Sequence, residues 1–356
     1  MQIDGLAIRG AHRSNQFTDA AGERHPYSEF GACIWVERGH YVSIADNKIT
    51  DCTQAIFSKS TDDGDFAQTK HIRIVGNNMY NNGISGSVRV HTTYIQSVGV
   101  VYEFNRYGPL REGSTGNSIK DRSVGTVIRY NRILAGARAL DLVEAEDFPI
   151  AAKANLAYRA TYVYGNQIVK DRRKGSTIQY GGDHNGSSPG ANWGEPNNRK
   201  GTLYVFHNTV RLTGDGYGVL FQLSTTEETA EVWNNIFVFD STIPYPRMRA
   251  GTEVGGAWKP GGILRLGRNW IGAKWKDAIP RDKLGLPLIG TENLITGVRM
   301  PISTSTIFPW PETQQVLNAG APTPGAEKYP MLFQLSPDLT SAPRNPLNLL
   351  MGAIDR

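Results

Sequence analysis

Val100-Val-Tyr-Glu-Phe-Asn-Arg-Tyr107 and Thr126-Val-Ile-Arg-Tyr-Asn-Arg-Ile133 lie 26 residues apart and share one phrase. Two alternating positions, a gap of two, Asn, any residue and then an apolar one make up that phrase. It recurs upstream as Val42, Ile44, Asn47, Ile49 and as Ile72, Ile74, Asn77, Met79. Downstream it returns as Thr161, Val163, Asn166, Ile168, then Leu203, Val205, Asn208, Val210. Ala230, Val232, Asn235, Phe237 and Leu264, Leu266, Asn269, Ile271 follow, and a weaker copy ends at Asn293 and Ile295. Successive Asn residues are 30, 28, 26, 35, 42, 27, 34 and 24 positions apart. A period with a floor and irregular excesses is that of a coil with variable loops. Alternation lasts only a few residues before a turn residue intervenes, so each coil holds two or three short strands.

The expected architecture is therefore all-β: a right-handed parallel β-helix of about nine or more coils. An Asn at the bend can bond turn backbone, tolerate left-handed dihedrals and bond the Asn of the coils above and below. An antiparallel sandwich with N-x-apolar at its hairpin turns is the competing reading, but hairpins recur every 8–12 residues, unlike this period. At about 4.8 Å per coil, nine coils make a rod of roughly 40 Å. The helix is assigned to residues 1–295. Residues 296–356 are Pro-rich, lose the phrase and are expected to wrap or cap the end, because an open coil leaves unpaired strand edges.

Composition agrees with short strands and frequent turns: 39 Gly, 19 Pro and 15 Tyr among 356 residues. The 38 Lys and Arg against 33 Asp and Glu leave +5, a mild surplus that favours an anionic partner. No basic run resembles a nucleic-acid arm, and no apolar stretch approaches the roughly 18 residues of a membrane span. Cys33 and Cys52 are the only cysteines, either a free pair or one disulfide. The first ten residues hold neither the basic nor the apolar region of a secretory signal. Leu6 and Ile8 already alternate as in a strand, so the stack is expected to continue upstream.

On these motifs the chain resembles the pectate-lyase-like superfamily, specifically the bacterial right-handed β-helix repeat proteins among carbohydrate-active enzymes. The repeat from Gly5 to Ile295 carries the likeness, together with an ending, Phe333-Gln-Leu-Ser-Pro337 and Gly352-Ala-Ile-Asp355, similar to the closing segment of that group. The resemblance implies a secreted, periplasmic or cell-surface protein acting on a polysaccharide. It is specific for fold and a poor guide to substrate.

Strand alternation beyond each Asn turn nominates one outward stripe. With Ile119 inward, Lys120 and Arg122 face outward; Leu140-Asp-Leu142 exposes Asp141; Ile178-Gln-Tyr180 exposes Gln179; Phe221-Gln-Leu223 exposes Gln222. One coil earlier, His91-Thr-Thr-Tyr94-Ile95 puts Tyr94 outward. The pairing of His-x-x-Tyr with Ile-Lys-x-Arg one coil later also resembles some members of the group. There Ser often stands where this chain has Asp121, which either turns inward or pairs with Arg122.

Cleavage of a uronate glycan by β-elimination removes the weakly acidic proton next to the sugar carboxylate and expels the glycosidic oxygen. It needs a cation, a base and an acid within one sugar's width. The expected roles are Arg122 on the carboxylate, Lys120 or His91 as base and Tyr94 as acid, with Asp141, Gln179, His184, Trp193 and Gln222 binding substrate. Equally, a Lys-x-Arg pair can be edge protection, and His91 an ordinary satisfied histidine. Asp183 and His184 belong to a Gly- and Asn-rich loop placed to reach the stripe from above, with Trp193 available to stack on a sugar. No metal is obligatory; Thr61-Asp-Asp-Gly-Asp65 offers carboxylates for Ca²⁺ but lacks a full calcium-loop pattern. A glycoside hydrolase using Asp141 with Glu144 or Asp183, a uronate epimerase and a non-catalytic glycan-binding rod are the alternatives. The expected partner is an anionic polysaccharide, with no nucleic acid and no membrane span, and the chain is expected to be a monomer.

Overall fold

The computed structural model describes residues 1–134, 136–171, 175–184, 194–214, 218–240, 243, 246–254, 257–277, 288–297, 302–303, 310–311, 320–336, 340–345 and 350–353. Their strands stack as three parallel sheets of ten, ten and eight strands in a right-handed β-helix, the first eight coils adding one strand to each sheet and the last two adding strands to the first and second only. In one coil, Val124–Arg129 joins the first sheet, Arg132–Leu134 the second and Leu140–Leu142 the third. Parallel neighbours are always one coil apart, so β-branched and apolar residues that recur at equal phase stack on themselves. Ile44, Ile74, Tyr102, Ile128, Val163, Val205, Val232 and Leu266 form such a column, each directly paired with the next. All are fully or almost fully buried. Removing one, as in Ile128→Ala, leaves a cavity between two rigid neighbours and costs about 2–5 kcal/mol.

The Asn residues form the expected ladder where the first and second sheets meet. From Asn47 to Asn269, each Nδ2 donates to the Oδ1 of the next Asn at 2.9–3.1 Å. Each Oδ1 accepts the backbone N–H of the preceding Asn as well. One detail differs from expectation: the left-handed residue is the one before the Asn. Asp46, Gly76, Phe104, Tyr130, Gly165, His207 and Asn234 have φ between 51° and 67°. The bend is made there, which leaves the Asn side chain pointing into the stack, where its amide replaces lost ladder bonds.

The described part of the C-terminal segment wraps the flank. Met331, Leu335 and Ala353 pack on Val127, Tyr130, Tyr162, Tyr164 and Phe206 of the first sheet's outer face. The Tyr130 hydroxyl accepts the Leu332 N–H at 3.0 Å. Cys33 and Cys52 are joined by a disulfide, with Cα atoms 5.7 Å apart, tying the first coil to the second. No helix among the described residues is long and apolar enough to cross a membrane.

Candidate functional site

The outward stripe exists as a single register line on the third sheet. Tyr94 pairs with Lys120, Lys120 with Asp141, Asp141 with Gln179 and Gln179 with Gln222. Ile119, Leu140, Leu142, Ile178 and Phe221 turn into the core between them. Period-two alternation on strands three residues long is enough to aim these side chains, because the stack repeats the same phase at each coil.

Two connections then fold over the stripe and bury its centre. After Leu142 the chain passes Glu144, Glu146 and Asp147; after Tyr180 it passes Asp183 and His184. Lys120 Nζ bonds Asp141 Oδ2 at 2.9 Å and also bonds the Asp183 carboxylate. Arg122 reaches five groups: Nη2 donates to Asp183 Oδ1 at 2.9 Å, Nη1 to the Glu144 carbonyl at 2.7 Å and to its Oε2 at 3.1 Å, and Nε lies 3.2 Å from Glu146 Oε2. Its Nε donates to the Tyr94 hydroxyl at 2.9 Å. The Tyr94 hydroxyl donates onward to Glu146 Oε2 at 2.7 Å. Lys120 and Arg122 thus converge on one carboxylate.

Glu144 is a fully buried brace. Its Oε1 accepts the backbone N–H of His184 at 3.0 Å and faces His184 Nδ1 at 2.7 Å, while Oε2 accepts the Asp183 N–H at 3.0 Å. With the carboxylate accepting from Nδ1, a neutral His184 carries its lone pair on Nε2, which lies 3.7 Å from Glu146. Glu144, Asp183 and His184 offer ligand-type atoms within 4.8 Å of one another. Because Glu144 Oε2 already accepts from Arg122 and the Asp183 N–H, and Oε1 from the His184 N–H and ring, the group reads as an ion-paired cluster around a guanidinium.

Burial opposes charge throughout the cluster, and opposite charges overrule it. Despite burial, Lys120 and then Arg122 hold Asp183 well below the usual carboxylate range. Asp141 is lowered, Lys120 and Arg138 outweighing its burial. Arg122 is buried, yet Asp183, Tyr94, Glu144 and Glu146 keep it firmly protonated. Burial, helped by Glu146, raises the Tyr94 phenol far above its ordinary value, so Tyr94 holds its proton. His91 is pushed down to about 3, chiefly by burial and then by Lys120. Its Nδ1 accepts the Asn117 N–H at 3.0 Å, so the neutral ring carries its proton on Nε2. That tautomer makes His91 a donor packed edge-on to Tyr94, with ring centroids 5.7 Å apart.

Several nominated residues fall differently from expectation. Lys120 and Arg122 face outward but are covered, with side chains 6% and 2% exposed. Asp121 takes the inward option and does not pair with Arg122: it accepts from Tyr102 at 2.9 Å and from Arg199 Nη2 at 2.8 Å. The carboxylates of Thr61-Asp-Asp-Gly-Asp65 diverge to separate partners. Asp62 accepts the Ile150 and Ala151 N–H groups, Asp63 the Thr61 hydroxyl, and Asp65 bonds Lys70. Gln179 Nε2 donates to the Gly182 carbonyl at 2.9 Å, and Gln222 Nε2 to the Gly251 carbonyl at 3.3 Å. Trp193 lies outside the described residues. Glu146 and Arg199 were not singled out in the sequence. Glu146 follows directly on an outward-facing strand in an acidic run, the one signal that could have found it; Arg199 gives none. A recess of about 500 Å³ lies apart from the cluster, under the C-terminal segment, lined by Asn78, Phe104, Arg106, Arg132, Leu335 and Ser341 among others. No protein-family model, curated protein or solved structure matches this chain.

Proposed function

We propose that this chain is a polysaccharide lyase that cleaves a uronate-containing glycan by β-elimination, in the manner of the pectate-lyase-like enzymes it resembles. One observation carries the reading: two buried cations, Lys120 and Arg122, converge on the single carboxylate of Asp183, with a phenol and an imidazole beside them. In the substrate complex the uronate carboxylate takes the place of Asp183 between those cations. Neutralising that carboxylate acidifies the adjacent C–H, the hardest part of the reaction.

The remaining roles follow from proton inventory. His184, oriented through Nδ1 by Glu144, takes the carbon-bound proton on Nε2. As the carbon–carbon double bond forms, the glycosidic C–O bond breaks and Tyr94 gives its proton to the leaving oxygen. The phenolate so formed is stabilised by Arg122 Nε. His91 fits a positioning part beside Tyr94, and Lys120, held between two carboxylates, fits charge neutralisation better than proton abstraction. Hydrolysis ranks lower, because Asp141 and Glu144 are buried and committed to Lys120, Asn117, Arg122 and loop N–H groups. An epimerase would share the proton abstraction but leave no double bond. The mechanism asks nothing of a metal. The Cys33–Cys52 disulfide supports an oxidising, extracytoplasmic location.

The test is the absorbance of the conjugated unsaturated uronate on a panel of polygalacturonate, alginate and hyaluronan. Wild type should produce it on at least one. Tyr94→Phe should lower kcat by about 10²–10⁴ with little change in melting temperature, and Arg122→Lys should lower kcat/KM by about 10²–10³. Reducing ends without absorbance would transfer the assignment to a hydrolase, and neither signal on any polymer would leave a binding rod.

A further inference from the structure

The register line that carries the ionic cluster does not begin at Tyr94. Tyr94 pairs with Phe57, and Phe57 with Trp35. Trp35 is 47% exposed, on a strand whose neighbours Ile34 and Val36 are buried. The indole and the Phe57 ring lie 4.2 Å apart between centroids at an interplanar angle of 32°, and Phe57 meets Tyr94 edge-on at 5.3 Å. Two positions along from Phe57, on the same outer face, stands Lys59. Among the described residues no ion pair or side-chain hydrogen bond engages its ammonium group.

We infer that Trp35, Phe57 and Lys59 form a distal subsite that holds a further anionic sugar residue of the same glycan chain, two to three residues from the one engaged by Lys120 and Arg122. The inference rests on the reading above in one respect, that the ligand is an anionic polysaccharide. Three arguments support it. The rings lie in strict register with the cluster, on the same face and with no other element of the described chain covering Trp35. A coil step of about 4.8 Å is close to the length of one pyranose residue, so a glycan laid along the line advances roughly one sugar per coil. An aromatic face packs on the C–H face of a pyranose, and the partly exposed Lys59, in register with Glu37 on the neighbouring strand, offers an ammonium to a carboxylate or sulfate. Together these select an anionic sugar over a neutral one and over an apolar peptide, which would have no use for Lys59.

The experiment is affinity electrophoresis of the intact chain through native gels containing polygalacturonate, alginate, hyaluronan or, as the neutral probe, hydroxyethylcellulose. Wild type should be retarded by at least one uronate polymer and at least tenfold less by the neutral one. Trp35→Ala should weaken that retardation about tenfold and Lys59→Gln several-fold, both with melting temperatures within a few degrees of wild type. A Trp35→Ala variant as strongly retarded as wild type overturns the proposal, as does equal retardation by hydroxyethylcellulose or none by any polymer. Retardation that depends on Trp35 in a protein releasing no unsaturated product upholds the subsite while the lyase reading falls.

Discussion

At the residue scale, the decisive contacts lie under the stripe as much as on it. Arg199, wholly buried, enters from a loop to bond the Val143 carbonyl at 2.9 Å, the Asp121 carbonyl at 2.9 Å and the Asp121 carboxylate. It therefore ties together the two strands that present Lys120 and Asp141. Removing one partner of a buried pair strands the other, so Asp121→Asn and Arg199→Met should each cost about 3–5 kcal/mol in denaturant unfolding. The double variant should recover part of that loss. Outward placement of Tyr94, Lys120, Asp141, Gln179 and Gln222 was legible from alternation alone. The inward turn of Asp121 was not, because its choice depends on Arg199, 78 positions away and invisible to any local pattern. The tautomer of His91 was not legible for a similar reason: the Asn117 N–H that fixes it belongs to the next coil.

The buried histidines also set an acid limit. His91 and His207 both have folded-state values of about 3, caused first by burial, against 6.5 unfolded. The unfolded chain therefore binds more protons between those values. Their contribution is complete above pH 6.5 and is lost as pH falls toward 3, roughly 4–5 kcal/mol each over the full span. Denaturant midpoints measured from pH 7 to pH 4 should fall steeply, and His207→Gln should flatten the slope by about one proton.

At the element scale, the coil is held by its Asn bend. The Asn131 Oδ1 accepts from the Asn105 backbone and side chain, while its Nδ2 donates to Asn166 Oδ1 and to the Tyr102 and Arg129 carbonyls. Asn131→Ala leaves buried donors and acceptors unmatched, and about 2–4 kcal/mol should be lost. Asn293→Ala, one coil beyond the last Asn of the ladder, removes one bond to the Leu266 carbonyl and should cost under about 1 kcal/mol. Thermal melts of the pair decide whether the ladder or the sheets dominate. The bends were legible because Asn recurs with a floor in its spacing. The left-handed residue before it was not, since Asp, Gly, Phe, Tyr, His and Asn all occupy that place: the position is imposed by the two sheets rather than chosen by local propensity. Cys33 and Cys52, 19 positions apart, gave no way to decide between thiols and a bond until the first two coils were stacked.

At the scale of the whole molecule, the three sheets have different fates. The first is covered on its outer face by the C-terminal segment through contacts such as Tyr162–Tyr329, centroids 4.6 Å apart at 63°. The third carries, along one line, aromatic rings at one end, paired charges at the centre and amides beyond. Such a gradient suits a ligand that is itself linear. The solenoid was legible from the repeat and the stripe from the strand after each Asn turn, but the cover over the centre of that stripe was not, because it comes from connections outside the repeat. The distinction comes from the connections after Leu142 and Tyr180, whose acidic residues fold back over Lys120 and Arg122.

The most direct test of β-elimination is digestion of the responsive uronate polymer in heavy-oxygen water, with the products weighed by mass spectrometry. Elimination predicts oligosaccharides with an unsaturated terminus and no heavy oxygen incorporated at the cleaved bond, with the yield collapsing in Tyr94→Phe. Heavy oxygen in the new ends, or unsaturated product formed equally well by Tyr94→Phe, would contradict the mechanism.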